Sequence, residues 1–274
     1  MGDADDENLA GKYSFEPKTP EKPMMLRMMM ALCLTVLIGI SGVQAQENSG
    51  KGVPGKQVEL KFTTSDSATV DYLLYMPKTD EGDQGKLPLV FFLHGRGESY
   101  GPPSLVAKWG PPRFAARGDE LPYILVSPQC PGDDSWSKPT QQARLVELLD
   151  MIVSTHNVDT NRIYLTGLSM GGYGSWRMAA DHPDRFAAVV PVCGGGDPAD
   201  ADKLKNIPIW VFHGDQDRAV PFERSVEMVD AIKKAGGESI RFTSLEHIGH
   251  NCWSATYATP ELYSWMLGKE LKKE

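Results

Sequence analysis

"RIYLTGLSMGGYGSWRMAADH", residues 162–182, joins a β-rich run to an Ala- and Met-rich run through the turn Gly167-Leu168-Ser169-Met170-Gly171. Glycines two residues before and two residues after Ser169 permit a turn too tight for a Cβ. A hydroxyl on such a strand-to-helix turn is lifted above the end of its strand. The helix N-terminus beneath it offers free amides and positive dipole character, which suit a developing oxyanion. The G-x-S-x-G spacing by itself is weak, and a serine in a plain loop is the competing reading. With a strand before it and a helix-compatible run after it, Ser169 is the candidate nucleophile.

Working outward, strand-like runs recur at 57–63, 68–76, 87–94, 121–127, 162–167, 186–192, 207–213 and 239–245. The first two alternate apolar and polar residues, as half-exposed antiparallel strands do. Several later ones, such as "LPLVFFLH" and "IPIWVFH", are nearly continuous in apolar residues, as in a parallel sheet covered on both faces. Helical spacing appears at 140–156, 224–237 and 259–271, the second ending on Gly236-Gly237 and the third beginning Thr259-Pro260. This alternation predicts one α/β domain over 57–274, with about eight mostly parallel strands and helices on both faces. The Pro- and Gly-rich stretch 95–120 is expected to be a long loop after a core strand, where such sheets keep binding sites.

The N-terminal part has a different character. Residues 28–40, "MMMALCLTVLIGI", are uncharged, follow Lys22 and Arg27, and precede "SGVQAQ". A membrane span needs ~20 apolar residues, so residues 1–45 are expected to be an extension and secretory signal cut after Ala45. A leader over 46–56, "QENSGKGVPGK", is expected to be flexible. The expected product is secreted or periplasmic, without a stable membrane association once the signal is cut. The full chain carries 28 basic and 36 acidic residues, a net charge of −8 with no basic cluster, so nucleic acid is not expected as a partner. Cys130, Cys193 and Cys252 remain beyond the signal, and the sequence leaves their pairing open.

A serine nucleophile needs a base and a carboxylate to orient it. After the run 207–213 comes "HGDQDRAVP", which offers Asp215 and Asp217 as the acid; Asp215 suits the turn through its own backbone, and Asp217 is preferred because "HGxxDxxVP" resembles the pattern of known hydrolases. After the next strand, "EHIGHNCW" offers His247 and His250, and the glycine before His250 makes it the better base. The oxyanion donors are expected to be the amides of Met170, directly after the nucleophile, and of Arg96, set between Gly95 and Gly97. His94 reads as a structural hydrogen-bonder under that loop. Trp136 and Trp253 are candidate substrate contacts, with packing as the equal alternative.

The motifs "FFLHGRGE", "SPQCP", "GLSMGGYGSW", "PVCGGGD", "PIWVFHGDQDRAVP" and "GHNCW" resemble the α/β-hydrolase superfamily, and within it the phospholipase/carboxylesterase group of predicted esterases. The resemblance runs from about residue 87 to 267. It implies a serine hydrolase using Ser169, Asp217 and His250, with no cofactor and no metal, acting on small acyl, feruloyl or acetyl-type esters, free or linked to polysaccharide. Residues 193–206 are too short for a substantial cap over the site. A serine peptidase of the prolyl-oligopeptidase type shares the triad and is the nearest alternative. A catalytically silent binding relative is the alternative from another class.

Overall fold

Eight strands form a single sheet: β1 (Gln57–Thr63), β2 (Thr69–Tyr75), β3 (Leu87–Leu93), β4 (Ile124–Pro128), β5 (Val158–Leu168), β6 (Ala188–Val192), β7 (Ile209–Gly214) and β8 (Ile240–Leu245). The computed structural model describes residues 50, 52–79 and 85–271. The expected extension and signal, residues 1–45, and leader residues 46–49 and 51 lie outside the described residues. The described residues belong to one compact unit.

The strand order is β1-β2-β4-β3-β5-β6-β7-β8. β2 is antiparallel to both β1 and β4, and every pair from β4 to β8 is parallel. β1, at the edge, fully buries only Leu60, whereas β4, β6 and β7 are buried throughout. That is the difference between an alternating run and a continuous apolar one.

The helices are α1 (Gly110–Ala116), α2 (Pro139–Thr155), α3 (Met170–Asp181), α4 (Ala201–Leu204), α5 (Glu223–Lys234), α6 (Trp253–Tyr257) and α7 (Pro260–Leu267). They cover both faces of the sheet. Leu89, Phe91 and Leu93 of β3 pack with Leu145, Leu148 and Ile152 of α2, Trp176 of α3 and Ile232 of α5. Val90 and Phe92 pack the other way, with Ala115 of α1, Tyr257 of α6 and Met266 of α7. The period of two along β3 sends alternate side chains into two separate cores.

Three local expectations need correction. The stretch 95–120 is not an open loop: it holds short helical turns at Arg96–Ser99 and Pro103–Lys108, then α1, whose first turn takes Pro111 and Pro112. Proline suits a helix start because its missing N–H is an orphan there anyway. Residues 52–56 are not a free leader either, since the Gly55 amide donates to Met76 O at 2.7 Å and Pro54 bridges to Met76. The last helix stops at Leu267, capped at Gly268, and the Leu271 amide then donates to Asn161 O at 2.9 Å. Between β6 and β7 there is only a short turn (Pro198–Asp200) and α4. No substantial cap interrupts the sheet there.

Candidate active site

The parallel strands all point their C-terminal ends to one edge, and the loops there carry the candidate residues. Ser169 sits between β5 and α3 with φ 53° and ψ −115°, a strained backbone for a residue with a Cβ. Its amide donates to Val192 O at 2.9 Å, which fixes the turn to β6. The two motif glycines are sterically required. A Cβ on Gly171 would stand 1.9 Å from Leu93 O, and one on Gly167 would stand 2.4 Å from Gly171 O. β3, β5 and α3 therefore meet backbone to backbone at the serine.

Ser169 Oγ lies 2.9 Å from His250 Nε2. His250 Nδ1 lies 2.6 Å from Asp217 Oδ2. The Asp217 carboxylate is fully buried and accepts four hydrogen bonds. Oδ1 takes the Ala219 and Val220 amides at 2.8 and 2.9 Å, and Oδ2 takes His250 and His213. Burial raises its pKa, but the bonds from His250 and the two amides outweigh it, and the net shift is downward. Asp217 is thus an anion at neutral pH, facing a half-buried imidazole whose other nitrogen faces a hydroxyl.

Asp215 and His247, the less favoured residues of each pair, lie outside this chain of contacts. Asp215 is exposed, and its amide donates to Leu245 O. His247 is exposed, with Nδ1 3.3 Å from Gln216 Nε2.

The loop after β3 closes the other side. Gly95 packs on Ser169, since a Cβ there would be 3.6 Å from the serine Cβ. Its amide donates to Glu98 Oε2 at 3.1 Å, so the next amide, that of Arg96, begins a helical turn. Met170 begins α3. First-turn amides have no partner inside their own helix, and the Arg96 and Met170 amides both sit at helical starts. Burial raises the pKa of Glu98, opposed by Lys108 and by the bonds from Gly95 and Trp109.

His94 ties this loop down from below. Its Nε2 accepts the Cys130 amide at 2.9 Å, so Nδ1 carries the proton and donates to Gly95 O at 2.6 Å. Burial lowers its pKa to about 4, which keeps the ring neutral.

Trp136 is not positioned as a substrate contact. It is 1% exposed, and its Nε1 donates to His94 O at 3.0 Å, so the ring is core packing for the loop after β3. Trp253 does flank the site, edge-on to His250 at 5.1 Å, with Trp109 beyond it at 6.1 Å.

Two features escaped the sequence reading. His213, the last side chain of β7, lies 3.1 Å from Asp217 Oδ2 through Nε2. Its place four residues before Asp217 was the available signal. Cys193, with φ 40°, sets its thiol among Asp217 and His250, the three donor atoms lying within 4.8 Å of one another. His250 Nδ1 and Asp217 Oδ2 are spent on each other, and burial raises the Cys193 pKa, so the thiol stays protonated. This donor set does not fit a metal ion. Cys130, Cys193 and Cys252 are all buried free thiols.

A cleft of about 400 Å³ runs along α3, lined by Ser137, Tyr173, Trp176, Arg177, Gly195 and Arg224 among others. Tyr173, on the first turn of α3, is its lining residue nearest in sequence to Ser169.

Among proteins of known kind, residues 121–235 match the Esterase family, described as "Putative esterase". A solved thermostable esterase is 33% identical with a TM-score of 0.70, over 78% of this chain and 63% of that one. Poly(3-hydroxyalkanoate) depolymerase C of Paucimonas lemoignei is 30% identical over 42% of this chain and 29% of its own length. A bifunctional acetylxylan esterase/xylanase of Neocallimastix patriciarum is 27% identical over 50% of this chain and 20% of its own. The chain spans less than a third of the length of these two curated relatives. With the sheet order and the turn at Ser169, these likenesses give the chain the α/β-hydrolase fold and a resemblance to that fold's esterases.

Proposed function

We propose that the protein is a serine hydrolase of carboxylic esters. The observation that carries this reading is the unbroken contact from Ser169 Oγ to His250 Nε2 at 2.9 Å and from His250 Nδ1 to Asp217 Oδ2 at 2.6 Å. Ser169 Oγ attacks the acyl carbon while His250 Nε2 takes its proton. The oxyanion is held by the amides of Arg96 and Met170. Collapse expels the alcohol, which takes the proton back from His250 and leaves an acyl-Ser169 ester. Water then attacks that ester as His250 removes its proton; the acyl–Oγ bond breaks as His250 returns the proton to Ser169 Oγ, and the carboxylic acid is released. Asp217 fixes the imidazole tautomer and stabilises the imidazolium throughout.

The short connection between β6 and β7 and the names of the relatives support a substrate class. An uncapped edge suits acyl groups presented on a large or water-soluble partner. One relative carries acetylxylan esterase in its name and another poly(3-hydroxyalkanoate) depolymerase. Acetyl or other short acyl esters on a polysaccharide or polymer are therefore the proposed substrates, with the cleft along α3 taking part of that partner. Export through the N-terminal signal belongs to the same reading. Among the described residues no helix is long and apolar enough to cross a membrane.

The test is turnover of p-nitrophenyl acetate, followed by acetylated xylan. Ser169→Ala should lower kcat by on the order of 10⁴-fold or more with the circular dichroism spectrum unchanged. Esterase turnover retained in that variant would sink the assignment. Faster cleavage of a peptide p-nitroanilide than of the ester would move the protein to the peptidase class.

A further inference from the structure

We propose that His213 is a positioning residue for the triad carboxylate: its Nε2–H is a second donor to Asp217 Oδ2, and the Ser225 hydroxyl holds it in that tautomer. The inference rests on the serine-hydrolase reading and adds to it a residue outside the Ser-His-Asp set.

The tautomer follows from the neighbours. His213 Nε2 lies 3.1 Å from Asp217 Oδ2 and 3.1 Å from Val220 O. Both are acceptors, so Nε2 must carry a proton. Nδ1 lies 2.7 Å from Ser225 Oγ, on the first turns of α5. A hydroxyl can donate to a neutral Nδ1, and this leaves Nε2 as the protonated nitrogen. The ring is fully buried, with Phe222 edge-on to it at 5.6 Å. Burial lowers the His213 pKa, opposed by Val220 O and Asp217, so the neutral form is the resident one.

A neutral donor has a specific use here. It holds the carboxylate in place without adding a positive charge that would compete with the imidazolium forming on His250. It also draws electron density from Oδ2, which weakens the pull of Asp217 on the His250 proton. Ser225 Oγ also lies 3.0 Å from Gly194 O, so its one proton is shared between the shorter contact to Nδ1, at 2.7 Å, and the loop after β6 that carries Cys193. The titratable groups facing this assembly are Asp217 from the loop after β7, His250 from the loop after β8, and Cys193 from the loop after β6, with Cys252 against Cys193.

The experiment compares His213→Leu, His213→Gln and Ser225→Ala in the full chain. Two readouts are taken: the pH profile of kcat/KM for p-nitrophenyl acetate, and the low-field proton resonance of His250 Nδ1–H. Without its second donor, Asp217 binds the His250 proton more tightly. The acid limb should move upward by about half to one pH unit in H213L, and kcat should fall about tenfold with KM little changed. The amide nitrogen of Gln reaches the Nε2 position, so H213Q should return both readouts most of the way to wild type. S225A should shift both in the H213L direction by less, and it serves should H213L fail to fold. H213L with an unmoved limb and resonance, H213Q behaving as H213L, or S225A matching wild type in both would overturn the assignment. The resonance is read without substrate, so it tests His213 even in a protein that proves not to cleave esters.

Discussion

Ser169 holds a positive φ because three backbones meet beneath it, and the motif glycines carry that closeness. Gly171→Ala would drive a Cβ into Leu93 O, at 1.9 Å in the unrelaxed backbone. Urea unfolding should report a loss on the order of 3 kcal/mol, and esterase turnover should fall as β3 and α3 separate. A second residue-scale consequence concerns pH. His94 has a folded pKa of about 4, pushed down by burial, against about 6.5 in the unfolded chain. The unfolded state therefore binds more protons between those values, and stability rises with pH across them. His94 should contribute about 3 kcal/mol of pH-dependent loss as pH falls from about 6.5 to about 4, with His213, also lowered by burial, adding in the same direction. Unfolding of wild type and His94→Gln at pH 7 and pH 4.5 should show the shallower decline in the variant.

At the scale of elements, the edge of the sheet is assembled by loops that hold one another. The loop after β4 reaches the loop after β3 through the Cys130 amide on His94 and Trp136 Nε1 on His94 O. The Gln142 side chain on α2 in turn donates to Trp136 O at 2.6 Å. Trp136 is therefore a clamp between α2 and the oxyanion-side loop. Trp136→Phe keeps the ring and loses the bond, and should cost about 1–2 kcal/mol with KM for p-nitrophenyl acetate unchanged. A raised KM at an unchanged melting temperature would instead assign the ring to substrate. At the helix scale, α3 serves twice: its first residue, Met170, follows directly on Ser169, while Tyr173, Trp176 and Arg177 line the cleft.

Across the whole molecule, two cores on opposite faces hold one sheet, and the described cysteines are part of that packing rather than of a cross-link. Cys130, Cys193 and Cys252 are each 0% exposed. A thiol reagent should find none of the three in the folded protein and all three in guanidinium, and reductant should leave the melting temperature unchanged. A melting temperature that falls on reduction would indicate a Cys193–Cys252 bond. The split into two cores also explains why residues 95–120 hold helical turns and α1 where the local composition suggests a loop. Their apolar side chains Val106, Phe114 and Ala115 serve the face built by α6 and α7, which lie far along the chain.

Local pattern alone was enough for the eight strands, the mostly parallel sheet and the turn at Ser169. Continuous apolar runs, helical spacing and paired glycines are properties of neighbouring residues, and backbone sterics act at that range. The order Ser169, Asp217, His250 was legible because successive parallel strands deliver their loops to one edge. Tertiary structure decided what depends on distant groups meeting. It buried Trp136 under His94, gave Asp217 a second histidine, set Cys193 beside Asp217 and His250 and built α1 from a proline-rich stretch. Each of these turns on burial and on hydrogen bonds between segments tens of residues apart, and no periodicity within a segment records them.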